Sequence, residues 1–159
     1  MGNVRKQTFF WVVLVLIFIA VGQSLLAAPQ RGDSGLGIIL GAPTAITGKY
    51  WKDDVHAVDM GLGYWFGNFI ELYGDYLWHF PGSFKTRKRS YPEFFPYLGV
   101  GADLHMGPGF GLYGRIPLGI EWLPQTAPFG VFAEIVPGIQ LAPGLGVVVG
   151  GGIGVRYYF

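Results

Sequence analysis

The segment 150–159 reads GGGIGVRYYF and sets the fold of this chain. Side chains alternate sides along an extended strand. One face is therefore apolar and carries Ile153, Val155, Tyr157 and Phe159. The opposite face carries an arginine between a glycine and a tyrosine, at Gly154, Arg156 and Tyr158. This pattern is typical of a membrane strand with lipid on its outer side and a narrow polar interior on its inner side.

The composition supports a membrane barrel over a soluble domain. Charged residues make up 13% of the chain, whereas ordinary soluble domains have about 25%. The chain of 159 residues also holds 27 glycines, together with 13 Phe, 9 Tyr and 5 Trp. The aromatic content excludes disorder, and collagen is excluded because the glycines do not recur with a Gly-X-Y period. The absence of cysteine is compatible with export.

The first residues predict a secretory signal peptide. Arg5 and Lys6 precede an apolar run at 9–21, and small residues follow at Ala27 and Ala28. The run is too short for a bilayer-spanning helix, which needs about 20 residues. We therefore predict a signal peptide at 1–28 and an outer-membrane β-barrel domain at 29–159. Without Arg5 and Lys6, nine basic residues face ten acidic ones, a balance that argues against nucleic-acid binding.

Short apolar segments separated by Gly, Pro, Asn and Asp predict eight strands. Their predicted limits are 35–41, 44–51, 55–66, 69–79, 94–106, 110–122, 129–141 and 147–159. The expected fold is all-β, an eight-stranded antiparallel up-and-down transmembrane barrel. Pro117 and Pro137 lie inside these strands, so we expect a bulge or a local break at each.

The charged residues of the strands fall on the faces that lack aliphatic side chains. A soluble β-sandwich also alternates, but its polar faces meet water and carry a Lys, Glu, Thr and Ser mixture. Here those faces are mainly Gly and Tyr with isolated charges, as the interior of a small barrel requires. We predict a lumen charge network of Lys49, Asp59, Glu71, Asp75, Asp103, Arg115, Glu134 and Arg156. Glu134, on the neighbouring strand, is the expected partner of Arg156; a proton or cation path is the alternative role for these acids.

Six stretches resemble one known family. They are GIILGAPTAITGKYW (37–51), LYGDYLWH (72–79), YLGVGADL (97–104), GRIPLGIEWL (114–123), FAEIVPGIQLAPG (132–144) and GGGIGVRYYF (150–159). In order and spacing they are similar to the small outer-membrane barrels of spirochaetes, long catalogued as a domain of unknown function. The resemblance implies an eight-stranded barrel and supplies no catalytic residues.

The sequence predicts no enzyme, cofactor or metal site. A lipid-modifying enzyme at the membrane rim is the alternative, with His79 beside Ser83 or Ser90 as its candidate residues. His56 and His105 stand apart in the sequence without a recognisable ligand spacing. A narrow porin is the other alternative.

The basic loop and the last strand carry the predicted contacts with partners. Four bases, at Lys85, Arg87, Lys88 and Arg89, form a candidate contact for anionic lipid, glycans or a host protein. The terminal residues Val155, Tyr157 and Phe159 resemble the signal that barrel-assembly machinery recognises. We expect a monomer in the bilayer of the outer membrane. Eight strands also place the loop at 80–93 beside the chain ends, where outer-membrane barrels usually have short turns.

Overall fold

The computed structural model describes residues 33–65, 69–84, 93–124 and 127–159, and in these ranges the regular structure is all β. The strands are β1 (Ser34–Ala42), β2 (Thr44–Trp51), β3 (His56–Trp65), β4 (Phe69–His79), β5 (Phe94–Met106), β6 (Phe110–Arg115), β7 (Leu118–Trp122), β8 (Phe129–Ala142) and β9 (Gly146–Tyr158). Among the described residues, no helix is long and apolar enough to cross a bilayer.

The sheet closes on itself. Consecutive strands pair antiparallel from β1 to β5, and β1 also pairs with β9. β6 and β7 lie end to end, and both pair with β5 on one side and with β8 on the other. They therefore form one interrupted strand, and the barrel has eight strands around its circumference. The predicted all-β, eight-stranded antiparallel barrel is confirmed. Apart from the division of 110–122, each described strand limit lies within one residue of its prediction.

The two prolines behave differently. Ile116 and Pro117 separate β6 from β7, which is the expected local break. Pro137 stays inside β8, opposite Val149 of β9. Its carbonyl accepts a hydrogen bond from the Ile116 amide at 2.9 Å, so its missing N–H also points toward the break. One interruption thus accommodates both prolines. The expected local break at Pro137 is therefore present on the side of β6 and β7, whereas the pairing with β9 is continuous there. A separate register shift of β8 lies opposite Leu112 and Tyr113.

The barrel has two unlike ends. The terminal end is where β1 begins beside the end of β9, with the Ser34 amide donating to the Phe159 carbonyl at 3.2 Å. The connections 52–55, 80–93 and 123–128 lie at this end, since β2, β4 and β7 run toward it. The distal end has only short connections, at residue 43 and at 66–68, 107–109 and 143–145.

Apolar and polar residues occupy opposite sides of the barrel wall. The outward side is a band of exposed hydrophobic side chains, and each of the nine strands contributes to it. The band includes Leu36, Ile46, Leu62, Leu72, Val100, Phe110, Leu118, Ile135 and Ile153. The inward side is buried and contains twelve polar or charged residues. A water-soluble domain has the reverse arrangement, because charged side chains are almost never fully buried unless they are paired.

Candidate functional site

All eight residues of the predicted lumen charge network lie in the interior and are buried. They are Lys49, Asp59, Glu71, Asp75, Asp103, Arg115, Glu134 and Arg156. Four polar side chains outside that list share the space, namely Thr47, His79, His105 and Glu121. Among the described residues, six buried carboxylates face three lysine or arginine cations, and the contacts divide them into three groups along the barrel.

Lys49 centres the group nearest the terminal end. Its ammonium forms a salt bridge with Glu121, and both side chains are fully inaccessible to solvent. Lys49 Nζ also lies 2.8 Å from His79 Nε2, and it lies 4.5 Å from the centre of the Trp51 ring. The Tyr158 hydroxyl donates to Glu121 Oε1 at 2.5 Å. Because Lys49 and Glu121 have well-placed partners, their charges are compensated within the wall.

Arg156 occupies the middle of the lumen. Its Nη2 lies 2.5 Å from Asp59 Oδ2 and donates to Thr47 Oγ1 at 2.8 Å. Its Nη1 lies 3.8 Å from Glu121 Oε1, and the guanidinium covers the Phe132 ring at 3.8 Å. Arg156 therefore pairs with acids of the lumen as predicted, but with Asp59 and Glu121 and not with the expected Glu134. The β8–β9 register explains this, because Glu134 lies opposite Gly152, four residues along the strand from Arg156.

Arg115 collects the other carboxylates. Its Nε lies 3.1 Å from Asp75 Oδ1, and its Nη1 lies 3.3 Å from Glu71 Oε1. Asp103 and Glu134 each have an oxygen 3.8 Å from its terminal nitrogens. The Tyr97 hydroxyl donates to Glu134 at 2.7 Å. One guanidinium thus faces four carboxylates, which leaves this half of the lumen with three more acids than bases.

Glycines make these contacts across the wall possible. Gly101 stands between Asp75 and Arg115 in register, on the strand that separates them. A Cβ atom on Gly101 would overlap with Asp75 Oδ1 and with the Gly74 carbonyl oxygen, so neither could stay where it is. Gly61 and Gly119 likewise sit under the rings of Tyr73 and Tyr97. Large side chains can fill so narrow a barrel because their neighbours across the strands are small.

Three potential ligand groups meet near the distal end. Glu71 of β4 is the register partner of His105 of β5, and Asp103 lies two residues before His105 on the same face. His105 Nε2 lies 3.3 Å from Glu71 Oε2 and 3.2 Å from Asp103 Oδ1. A cavity of about 20 Å³ adjoins these three side chains and is also lined by Tyr113 and Arg115.

Hydrophobic side chains fill the remaining interior. Toward the terminal end, one cluster holds Trp51, Ala57, Leu77, Tyr97, Leu123 and Tyr158, with Phe95 packed against it. A second cluster of Ile39, Ala45, Tyr73 and Phe132 lies deeper in the barrel. Leu123 comes from the connection after β7 and is almost fully buried, so it covers the terminal mouth. The described interior is therefore packed like a small barrel whose lumen holds side chains.

The two described candidate residues for rim catalysis, His79 and Ser83, do not meet. His79 points into the lumen toward Lys49, whereas Ser83 is exposed and donates to the Phe80 carbonyl at 2.8 Å. Ser90 lies outside the described residues, as do Lys85, Arg87, Lys88 and Arg89 of the basic loop. On the last strand, Val155 and Phe159 are exposed on the outer surface, and Tyr157 is half-buried there.

Sequence reasoning left Glu121, His79 and His105 out of the network, although alternation places them on the inward face. Glu121 shares its face with Arg115 by even spacing, and His105 shares its face with Asp103. The signal was therefore present in the strand period. What the sequence could not supply was the register, which brings Glu71 opposite His105.

Comparison with known proteins finds a fold relative. No family model matches this chain, and no curated protein sequence matches it either. Among solved structures, it is similar to the N-terminal β-barrel domain of Pseudomonas aeruginosa OprF, with a TM-score of 0.60 and 15% sequence identity. The match covers 82% of this chain and all of that domain. At this identity the likeness concerns the fold alone.

Proposed function

We propose that this protein is a small integral outer-membrane barrel that acts through its loops, with a lumen closed by packed side chains. The observation that carries the proposal is the exposed apolar band outside a wall whose inner side buries twelve polar or charged residues. Soluble monomers rarely expose apolar side chains as a band on every strand of a sheet. A closed barrel also pairs its backbone polar groups internally, as a lipid environment requires.

The dimensions of the wall support this location. A strand of ten residues such as β3, tilted by about 40°, spans about 25 Å, the height of the apolar band of outer-membrane barrels. Aromatic side chains lie on the outer surface at the terminal end, where Tyr76 and Trp78 pack with their ring centres 5.0 Å apart. Trp122 and Phe129 pack there in the same way at 6.0 Å. Aromatic girdles of this kind mark the membrane interface.

Surface binding is the role we propose for the basic loop. Lys85, Arg87, Lys88 and Arg89 stand within five residues, and such a cluster attracts anionic lipid headgroups, glycans or acidic proteins. The same proposal includes membership in the spirochaete barrel family and export by the signal peptide at 1–28. It also includes recognition of the last strand by barrel-assembly machinery. The protein then functions as a monomer without enzymatic activity or a cofactor.

Two measurements test this function. Replacing the four bases by Gln should reduce retention on anionic vesicles or host-surface matrices, and the loss should shrink as salt rises. A charge-conserving variant, with each Lys changed to Arg and each Arg to Lys, is the matched control and should retain binding. Equal retention by the Gln variant and the native chain would refute surface binding through this loop.

Planar bilayers test the closed lumen. The packing of Trp51, Tyr97 and Leu123 at the terminal mouth predicts no steady conductance. Reproducible single-channel steps from the purified native chain would instead favour a narrow porin. The enzyme alternative is tested separately, because substitution of His79 and Ser83 should leave the lipid A profile of cells unchanged.

A further inference from the structure

We propose that Glu71, Asp103 and His105 form a binding site for a divalent transition-metal ion of the Zn²⁺ type, at the distal mouth of the barrel. One ligand atom from each residue lies within 4.8 Å of the other two. The proposal depends on the barrel interior alone and would hold whatever the loops bind.

The two distances from His105 Nε2 to the carboxylate oxygens suit such an ion. His105 Nε2 is 3.3 Å from Glu71 Oε2 and 3.2 Å from Asp103 Oδ1. Ligands bound tetrahedrally at 2.0–2.1 Å, the Zn–N and Zn–O bond length, are separated from one another by about 3.3 Å. A nitrogen with two carboxylate oxygens is a donor set for Zn²⁺ and its neighbours, whereas Ca²⁺ and Mg²⁺ prefer oxygen alone.

The carboxylates are oriented toward a common point by Arg115. Glu71 uses Oε1 for Arg115 at 3.3 Å, and Asp103 turns Oδ2 toward the same guanidinium at 3.8 Å. Their other oxygens, Glu71 Oε2 and Asp103 Oδ1, are buried and accept no hydrogen bond within the described residues. Glu71 is 1% exposed. Arg115 therefore acts as the outer partner that orients metal-binding carboxylates.

The charge balance favours a bound cation. Arg115 faces Glu71, Asp75, Asp103 and Glu134. When all four carboxylates are ionised they exceed the guanidinium by three negative charges, and burying an uncompensated carboxylate is costly. A divalent ion would cancel two of them. Protonation of the acids is the competing way to remove this charge, and direct metal binding distinguishes the two.

Space and access are also present. The adjoining cavity of about 20 Å³ exceeds the roughly 10–15 Å³ that one water needs. It can therefore hold a water as the fourth ligand, which leaves three protein ligands and an open position. The side chains of His105 and Asp103 remain 8% and 11% exposed, so an ion can enter from the distal mouth.

Metal titration of the purified full chain, folded in detergent and stripped with EDTA, tests the proposal. We expect one Zn²⁺ per chain by calorimetry, and Co²⁺ in its place should give the intense visible absorption of tetrahedral coordination. H105Q and D103N should each weaken Zn²⁺ binding by at least about tenfold, because loss of an outer partner alone costs 10–100-fold. H56Q is the matched control, since His56 lies at the other end of the barrel beside Asp53. It should leave the affinity unchanged.

A second readout uses the native chain and so does not depend on the folding of the variants. With ¹⁵N-labelled histidine, Zn²⁺ should shift the nitrogen resonances of one buried imidazole, and H56Q should show the same shift. The proposal is overturned if the native chain binds no Zn²⁺, or if no histidine resonance moves. It is also overturned if folded H105Q binds as tightly as the native chain, or if H56Q abolishes binding.

Discussion

The salt bridge between Lys49 and Glu121 gives the sharpest test of the interior. Both side chains are fully inaccessible to solvent, so removing one charge leaves the other buried without its main partner. Lys49→Met removes the ammonium and keeps most of the volume of the stem. Loss of one member of a buried pair costs about 3–5 kcal/mol of unfolding free energy. We expect the lower end of that range.

The reason for the lower end is that Glu121 keeps other partners. Arg156 Nη1 remains 3.8 Å from Glu121 Oε1, and the Tyr158 hydroxyl still donates to it. The double variant K49M/E121Q removes one positive and one negative charge together. It should therefore be less destabilised than the sum of the single variants, by a coupling of about 1–3 kcal/mol.

Urea unfolding from phospholipid vesicles, followed by tryptophan fluorescence, measures these differences. Lys52→Met is the matched control, because Lys52 is exposed and its Nζ lies 5.1 Å from the Tyr76 ring centre. An exposed contact of this kind contributes about 0.5–1 kcal/mol. If K49M cost no more than K52M, or if the K49M and E121Q effects simply added, the described ion pair would not stabilise the barrel.

Three further predictions concern single positions. Gly101→Ala should destabilise the barrel by about 1–3 kcal/mol in the same urea assay, because the new Cβ would overlap with Asp75 and the Gly74 carbonyl. Gly114→Ala is the control and should leave the stability unchanged, because a Cβ there meets no atom within 4 Å. In the turn before β3, the Val55 amide donates a hydrogen bond to the Asp53 carboxylate. This bond, together with the hydrogen bonds that His56 makes to the same carboxylate, lowers the pKa of Asp53 from 3.8 to about 2. Asp53 therefore stabilises the fold above its unfolded pKa and loses this effect as pH falls from about 4 to 2. In D53N the unfolding free energy should vary less with pH over that interval. A pH profile identical to that of the native chain would contradict this prediction. Phe159→Ser should lower barrel assembly in cells but not refolding of the purified chain in detergent, and equal losses in both would indicate a stability defect instead.

Strand alternation was enough to predict the two faces of the wall. It depends only on the period of two, which a strand keeps wherever its backbone is extended. Residues as distant as Lys49 and Arg156 could therefore be assigned inward from local sequence alone. The same reasoning located the break at Pro117, because a proline cannot donate to the ladder.

Partner choice within the lumen could not be predicted in this way. Lys49 and Glu121 are 72 residues apart, and they meet because the barrel closes across a narrow interior. Glu134 was expected to pair with Arg156, but the register places Glu134 near Arg115 and Tyr97. Contacts of this type depend on strand stagger, which neighbouring residues in the sequence do not reveal.

The two ends of the barrel differ in what can reach them. At the terminal end, Leu123 and Trp51 belong to a hydrophobic cluster that closes the mouth, while the connections there include 80–93 with its four bases. At the distal end, the turns are short and an acidic pocket opens beside Glu71 and Asp103. The proposed surface binding therefore concerns the end where β4 leads into the basic loop, and the proposed metal site concerns the distal end. Because β4 ends and β5 begins at the terminal end, protease access to the loop between them on intact cells determines which of the two ends faces the surroundings.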